Sequence, residues 1–167
     1  MDLDDEYYMA LAIKEAIKAA DMDEVPVGAV IVDQHQQIIG SGRNCPISDK
    51  DPTSHAEINA IRTASREIKN YRLNDATLFV TIEPCIMCMG AILHARIKRI
   101  VYGAEDPKWG AVNSIYKMTD HRKLNHHPEI ASGIYKTKIR QLMKAFFKNK
   151  RSKYSGKYSH RRHSMGR

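Results

Sequence analysis

Apolar residues recur at helical spacing over residues 8–20, where Met9, Ala12, Ile13, Ala16, Ile17 and Ala20 form one stripe and predict an amphipathic helix. Two runs suited to strands follow at 27–32 and 37–41, joined by the polar turn Asp33-Gln34-His35-Gln36, which reads as a hairpin. Asp51-Pro52-Thr53-Ser54 holds helix-start residues, and Ile58, Ala60, Ile61 and Ala64 then mark a helix over 56–68. Residues 76–82, with Thr77, Phe79, Val80 and Ile82, read as a buried strand. Pro84 suits the opening of a second helix over 85–95, since proline is tolerated in a first helical turn. Ile97, Ile100 and Val101 predict a strand over 96–102 directly after it. The stretch 103–133 is rich in Gly, Asn and His and is expected to be irregular, carrying binding loops. A terminal amphipathic helix over 138–150 places Ile139, Leu142, Met143, Phe146 and Phe147 on one side. The order strand, helix, strand, helix, strand implies an α/β fold whose sheet continues largely in parallel after the hairpin.

The 167 residues suffice for one sizeable core and not for two ordinary domains. No apolar run approaches membrane-spanning length. The acidic start Met1-Asp-Leu-Asp-Asp-Glu6 lacks the basic-then-apolar order of a signal peptide. Three cysteines make no disulfide framework, and a cytoplasmic protein is expected.

Charge alters the picture at one end. Residues 144–167 hold nine Lys/Arg and no acid, whereas the other 18 Lys/Arg face all 19 Asp/Glu. The expected organisation is a near-neutral domain over 1–150 and a basic, flexible tail over 151–167. Such an arm fits nucleic-acid binding, with Tyr154 and Tyr158 available to stack on bases. A solvated bystander tail fits the same composition.

The candidate chemistry lies in His55-Ala56-Glu57 and Pro84-Cys85-Ile-Met-Cys88. One imidazole, two thiolates and one carboxylate match a catalytic zinc site, which keeps three protein ligands and leaves the fourth position to water. Those ligands would be His55, Cys85 and Cys88. Zinc lowers the pKa of bound water toward neutrality, and Glu57 would move protons there without binding the metal. Cys85 and Cys88, three residues apart, share one helical face. Both motifs fall at predicted helix starts, whose positive ends favour a thiolate-rich site. A redox CxxC would leave His55 and Glu57 idle, and a structural zinc would need a fourth ligand. Cys45 reads as a small buried residue.

His55-Ala-Glu57 with Pro84-Cys-x-x-Cys88 resembles the signature of the cytidine deaminase-like zinc deaminases. Val25-Pro-Val-Gly-Ala29, Asn44-x-Pro46, Asp51-Pro-Thr-x-His-Ala-Glu-Ile58, Asn70-Tyr-Arg-Leu73, Asp75-Ala-Thr-Leu78, Glu83-Pro-Cys-x-Met-Cys88 and Leu124-Asn-His126 narrow the likeness to the bacterial tRNA-specific adenosine deaminases, over about residues 7–150.

The resemblance implies a three-layer α/β/α sandwich around a five-stranded mixed sheet. It also implies a homodimer acting on the wobble adenosine of a tRNA anticodon loop, usually the arginine isoacceptor with anticodon ACG. One Zn2+ per subunit would sit on His55, Cys85 and Cys88, with Glu57 as the proton shuttle. The Ala56 N–H and the Pro84 carbonyl would orient water and leaving amine. Asn44 would hydrogen-bond the flipped base, while Asp106 and Asn125 would contact loop nucleotides. The helix bearing Met87, Met89 and Ile92 would lie at the dimer interface. From the residues alone, Asn44 and Asp106 also fit ordinary turn positions, Asn125 fits a helix cap, and the methionine cluster fits core. Two rivals stay open: a guanine or nucleoside deaminase with the same zinc motif, and a noncatalytic RNA-binding module with no need of Glu57.

Overall fold

The structure is a computed structural model that describes the backbone of residues 3–159 and the side chains of residues 5–153. Along the chain come α1 (Leu3–Asp21), β1 (Gly28–Val32), β2 (Ile38–Arg43), α2 (Pro46–Asp49), α3 (Ala56–Glu67) and β3 (Thr77–Ile82). They are followed by α4 (Ile86–His94), β4 (Arg99–Ala104), β5 (Glu129–Ser132) and α5 (Lys136–Ser159). The strands form one five-stranded sheet in the order β2-β1-β3-β4-β5. β1 is antiparallel to β2 and β3, while β3, β4 and β5 run parallel. A hairpin followed by helical crossovers demands this mixed sheet.

Strand alternation splits the core into two layers. Val30, Phe79 and Val101 stand in register across three strands and pack with Tyr8, Met9 and Ile13 of α1 and Ile139 of α5. Their neighbours Ile31, Leu78 and Ile100 pack on the other face with Ala60 and Ala64 of α3 and Met89 and Ile92 of α4. A period of two along each strand thus sorts the helices to opposite faces and makes the α/β/α sandwich. Full burial of side chains of this size stabilises by about 1.5–3 kcal/mol each. The helix α3 lies very close to β2. A Cβ on Gly42 would collide with the Ala56 carbonyl oxygen and lie 2.5 Å from the Ala60 nitrogen, so only glycine lets the first turn of α3 rest on the strand.

Several elements depart from the expected boundaries. α1 begins at Leu3, ahead of residue 8. β4 begins at Arg99 rather than 96, because α4 closes at Ala95 and Arg96, at φ 61°, turns the chain. The stretch 103–133 is not wholly irregular: Glu129–Ser132 pairs with β4 as a fifth strand, too short and too polar to show a periodic signal. α5 continues past residue 150 to Ser159, so the expected tail begins as helix, as its lysines and arginines favour. Residues 160–167 and the side chains of Tyr154 and Tyr158 lie outside the described residues. Of the methionine cluster, Met89 and Ile92 are fully buried in the core, whereas Met87 is half-buried and Ile86 exposed on the outer side of α4. Cys45 is half-buried rather than buried, and precedes α2 as its N-cap. Among the described residues, no helix is long and apolar enough to cross a membrane.

Candidate active site

Because β1 is antiparallel to both its neighbours, β2 and β3 point the same way, and the helices that follow them begin at the same end of the sheet. His55 and Cys85 are the N-cap residues of α3 and α4, both with extended backbones (φ −82°, ψ 157° and φ −74°, ψ 173°). N-cap side chains ordinarily bond a first-turn N–H. Neither of these does, so the imidazole and the thiol turn to each other. His55 therefore sits just ahead of the first turn, and Pro84 ahead of the N-cap, one position earlier than expected for each. Cys88 lies one turn into α4 and is fully buried.

His55 Nδ1 is 3.7 Å from Cys85 Sγ and 3.6 Å from Cys88 Sγ, and the three ligand atoms lie within 4.8 Å of one another. Tetrahedral zinc with its usual Zn–S and Zn–N bonds has an N···S edge of roughly 3.6 Å. The donor set fits that ion in both chemistry and spacing. The hydrogen bond to Cys88, and then that to His55, draws the Cys85 thiol down to about 4, while the same contact with Cys85, together with burial, pushes Cys88 up.

Glu57, in the first turn of α3, is buried, and desolvation pushes its carboxyl up to about 7. With His55 and Cys85 it lines a cleft of about 500 Å³ bordered by Asn44, Asp106 and Trp109. That volume is in the range of small-ligand sites. Asn44 is buried, and its Oδ1 accepts the Ala56 N–H at 2.9 Å, so this amide serves Asn44. The Asn44 NH2 has no partner among the described residues. The Pro84 carbonyl accepts the Ala111 N–H at 2.9 Å, leaving one lone pair. Asp106 reaches the cleft, but its Oδ1 accepts the N–H groups of Lys108 and Trp109, at 2.9 and 3.2 Å, and shapes that turn. Asn125 is not brought to this cleft. It is exposed in a separate hollow with Tyr71, Gly90 and His94, and its carbonyl accepts from Arg96 at 2.9 Å.

Glu83 holds the turn beside the cleft, a role that apolar spacing and donor chemistry do not single out. It is buried at the end of β3 and accepts the N–H groups of Asp106, Val112, Asn113 and Ser114 and the Ser114 hydroxyl. Burial pushes its carboxyl up, but these donors outweigh it and hold the group below the usual range. A carboxylate closing an apolar strand, directly before Pro-Cys, was the signal available. Met143 of α5 also borders the cleft.

Fold and site together define the class, an enzyme of the deaminase type. The chain matches the MafB19-like deaminase family over residues 3–151. It is 49% identical over 147 residues to the tRNA-specific adenosine deaminase of Haemophilus influenzae, which covers 88% of this chain and 85% of that protein. It is 45% identical over 150 residues to the tRNA-specific adenosine deaminase of Buchnera aphidicola subsp. Schizaphis graminum, covering 88% and 96% of the two. A solved structure from a study of A-to-I editing by tRNA:A34 deaminases at the wobble position of transfer RNA superposes with a TM-score of 0.78 at 41% identity, over 81% of this chain and 98% of that one. The chain belongs to the tRNA-specific adenosine deaminase family.

Proposed function

We propose that this protein deaminates the wobble adenosine of a tRNA anticodon loop to inosine, with the arginine isoacceptor of anticodon ACG as its principal substrate. The observation that carries the reading is the triangle of His55, Cys85 and Cys88 beside the buried Glu57, open to a ligand-sized cleft. The donor set supports one Zn2+ per subunit, which when bound lowers the pKa of water and supplies the nucleophile near neutral pH. Glu57 moves the protons. The C6–O bond forms and the C6–N bond breaks, and of the two protons of water one ends on N1 and the other on the departing ammonia. Asn44, its Oδ1 held by the Ala56 amide, has its NH2 left to donate to the base. The Pro84 carbonyl supports the departing amine with its remaining lone pair. Asp106 holds the turn that borders the base.

A loop substrate follows from access, since C6 is unreachable in a stacked helix and an anticodon loop presents splayed bases. A homodimer accommodates Asn125, which lies away from its own cleft and would reach RNA held by the partner. Helix α5 supports RNA binding as well. From Met143 at the cleft it carries exposed Lys144, Lys148 and Arg151 at a spacing that puts them on one face, whereas Lys150 and Lys153 are turned to Asp23. With such a substrate its work would lie in the cytoplasm.

The test offers the purified protein an anticodon stem-loop, free guanine and free cytidine separately. Inosine from the stem-loop alone is expected. Xanthine would point to the guanine deaminase alternative, and RNA binding without any product to a noncatalytic module.

A further inference from the structure

Trp109 is the single tryptophan of the chain, is 59% exposed, and stands at the rim of the cleft that holds His55 and Glu57. Its indole N–H has no partner among the described residues. Lone exposed aromatics are common and ordinarily mean nothing, but the backbone beneath this one is tied down. Asp106 Oδ1 accepts the Trp109 N–H at 3.2 Å. The next residue, Gly110, pairs with Cys85 in an isolated β-bridge and donates to the Asp106 carbonyl at 3.0 Å. Underneath, the Glu83 carboxylate gathers the N–H groups of Asp106, Val112, Asn113 and Ser114. A Cβ at Gly110 would collide with that carboxylate, so the backbone beside the tryptophan is pressed onto it. The indole is thus carried by a turn anchored to Glu83, just past β3, and to Cys85 at the start of α4, and ordering such a turn on binding costs little.

We propose that Trp109 is a stacking platform for the nucleotide adjacent to the flipped adenosine, an inference that rests on the anticodon-loop reading above. A base drawn into the cleft leaves its neighbour without a stacking partner at the mouth. An exposed indole face replaces the missing one and tolerates any base identity. Trp109 borders the cleft and lies outside the candidate ligand set, so its contribution falls on substrate binding. Glu83 acts one step behind it, as the residue that positions the turn.

Because no other tryptophan is present, fluorescence excited at the red edge of the indole band, where the eight tyrosines do not absorb, reports this side chain alone. The metal-loaded Glu57→Gln protein is titrated with an anticodon stem-loop, intact or made abasic on the 5′ or the 3′ side of the wobble adenosine. Quenching is expected with the intact loop and is lost with one of the two abasic loops. In steady-state kinetics Trp109→Ala should raise KM about five-fold to a hundred-fold with kcat little changed, and Trp109→Phe should restore most of the loss. If either the quenching or the KM rise is missing while the wild type still makes inosine, the stacking role is overturned and the substrate reading stands. No inosine from the wild type would overturn both.

Discussion

The amide N–H of Ala56 donates to the side-chain oxygen of Asn44 at 2.9 Å, joining the end of β2 to the peptide between His55 and Glu57. One buried bond therefore holds a candidate base-binding side chain, a candidate ligand and the candidate proton shuttle in one frame. Removing the acceptor strands a buried donor, which costs about 1–3 kcal/mol. Asn44→Ala should lower stability by that amount in denaturant unfolding and should abolish most turnover. Asn44→Asp keeps an acceptor for Ala56 but loses the NH2, so stability should recover while deamination stays low. Equal activity in Asn44→Asp and wild type would remove Asn44 from base recognition.

Metal content tests the ligand triangle. The purified protein should carry about one zinc per chain. Cys88→Ser should lose it, since a neutral hydroxyl is a poor substitute for thiolate, whereas Cys45→Ser should retain it. Elemental analysis of the two variants decides, and full zinc occupancy in Cys88→Ser would exclude the proposed set.

Glu57→Gln separates binding from chemistry. The amide fills the same space but carries no transferable proton, so zinc and RNA binding should persist. Turnover should fall on the order of 10²–10⁴-fold or more, because one group serves several proton transfers. Single-turnover assays on the stem-loop read this directly, and near-wild-type rates would show that another group moves the proton.

Gly42→Ala probes how closely α3 must rest on β2. The added methyl meets the Ala56 carbonyl, which is backbone and cannot rotate away. The expected loss is about 1–3 kcal/mol, read as a drop in Tm of a few degrees per kcal/mol for a chain of this size. Zinc affinity should fall with it, since the first turn of α3 carries Glu57 and follows His55.

The basic face of α5 predicts a salt effect. Neutralising Lys144, Lys148 and Arg151 together should weaken stem-loop binding and flatten its salt dependence, with kcat at saturating RNA retained. Each phosphate that the variant leaves without its cation removes roughly 0.7 from the slope of log K against log salt on single strands and about 0.9 on duplex. Substitution is cleaner than cutting the chain at 150, which would also break the ion pair from Lys153 to Asp23. Binding curves across a salt series that superimpose for the two proteins would leave the helix as a solvated bystander.

What the chain determines by itself is whatever depends on near neighbours in sequence. The helices α1, α3 and α4 and the strands β1 to β3 follow from apolar spacing, which repeats within a few residues. The candidate ligands follow from donor chemistry and from a three-residue spacing that puts two thiols on one helical face. Tertiary structure decided the rest. Glu129–Ser132 is a strand because the backbone of β4 offers it partners, and its own side chains carry no signal. Met89 and Ile92 are core because the sheet covers that face of α4, which sequence spacing cannot reveal. Asn125 fell into another hollow than His55, and Glu83 became the anchor of the turn at 106–114, for the same reason. These roles arise from contacts between segments far apart along the chain, and such contacts exist only after β2 and β3 have brought their helix starts to one end of the sheet.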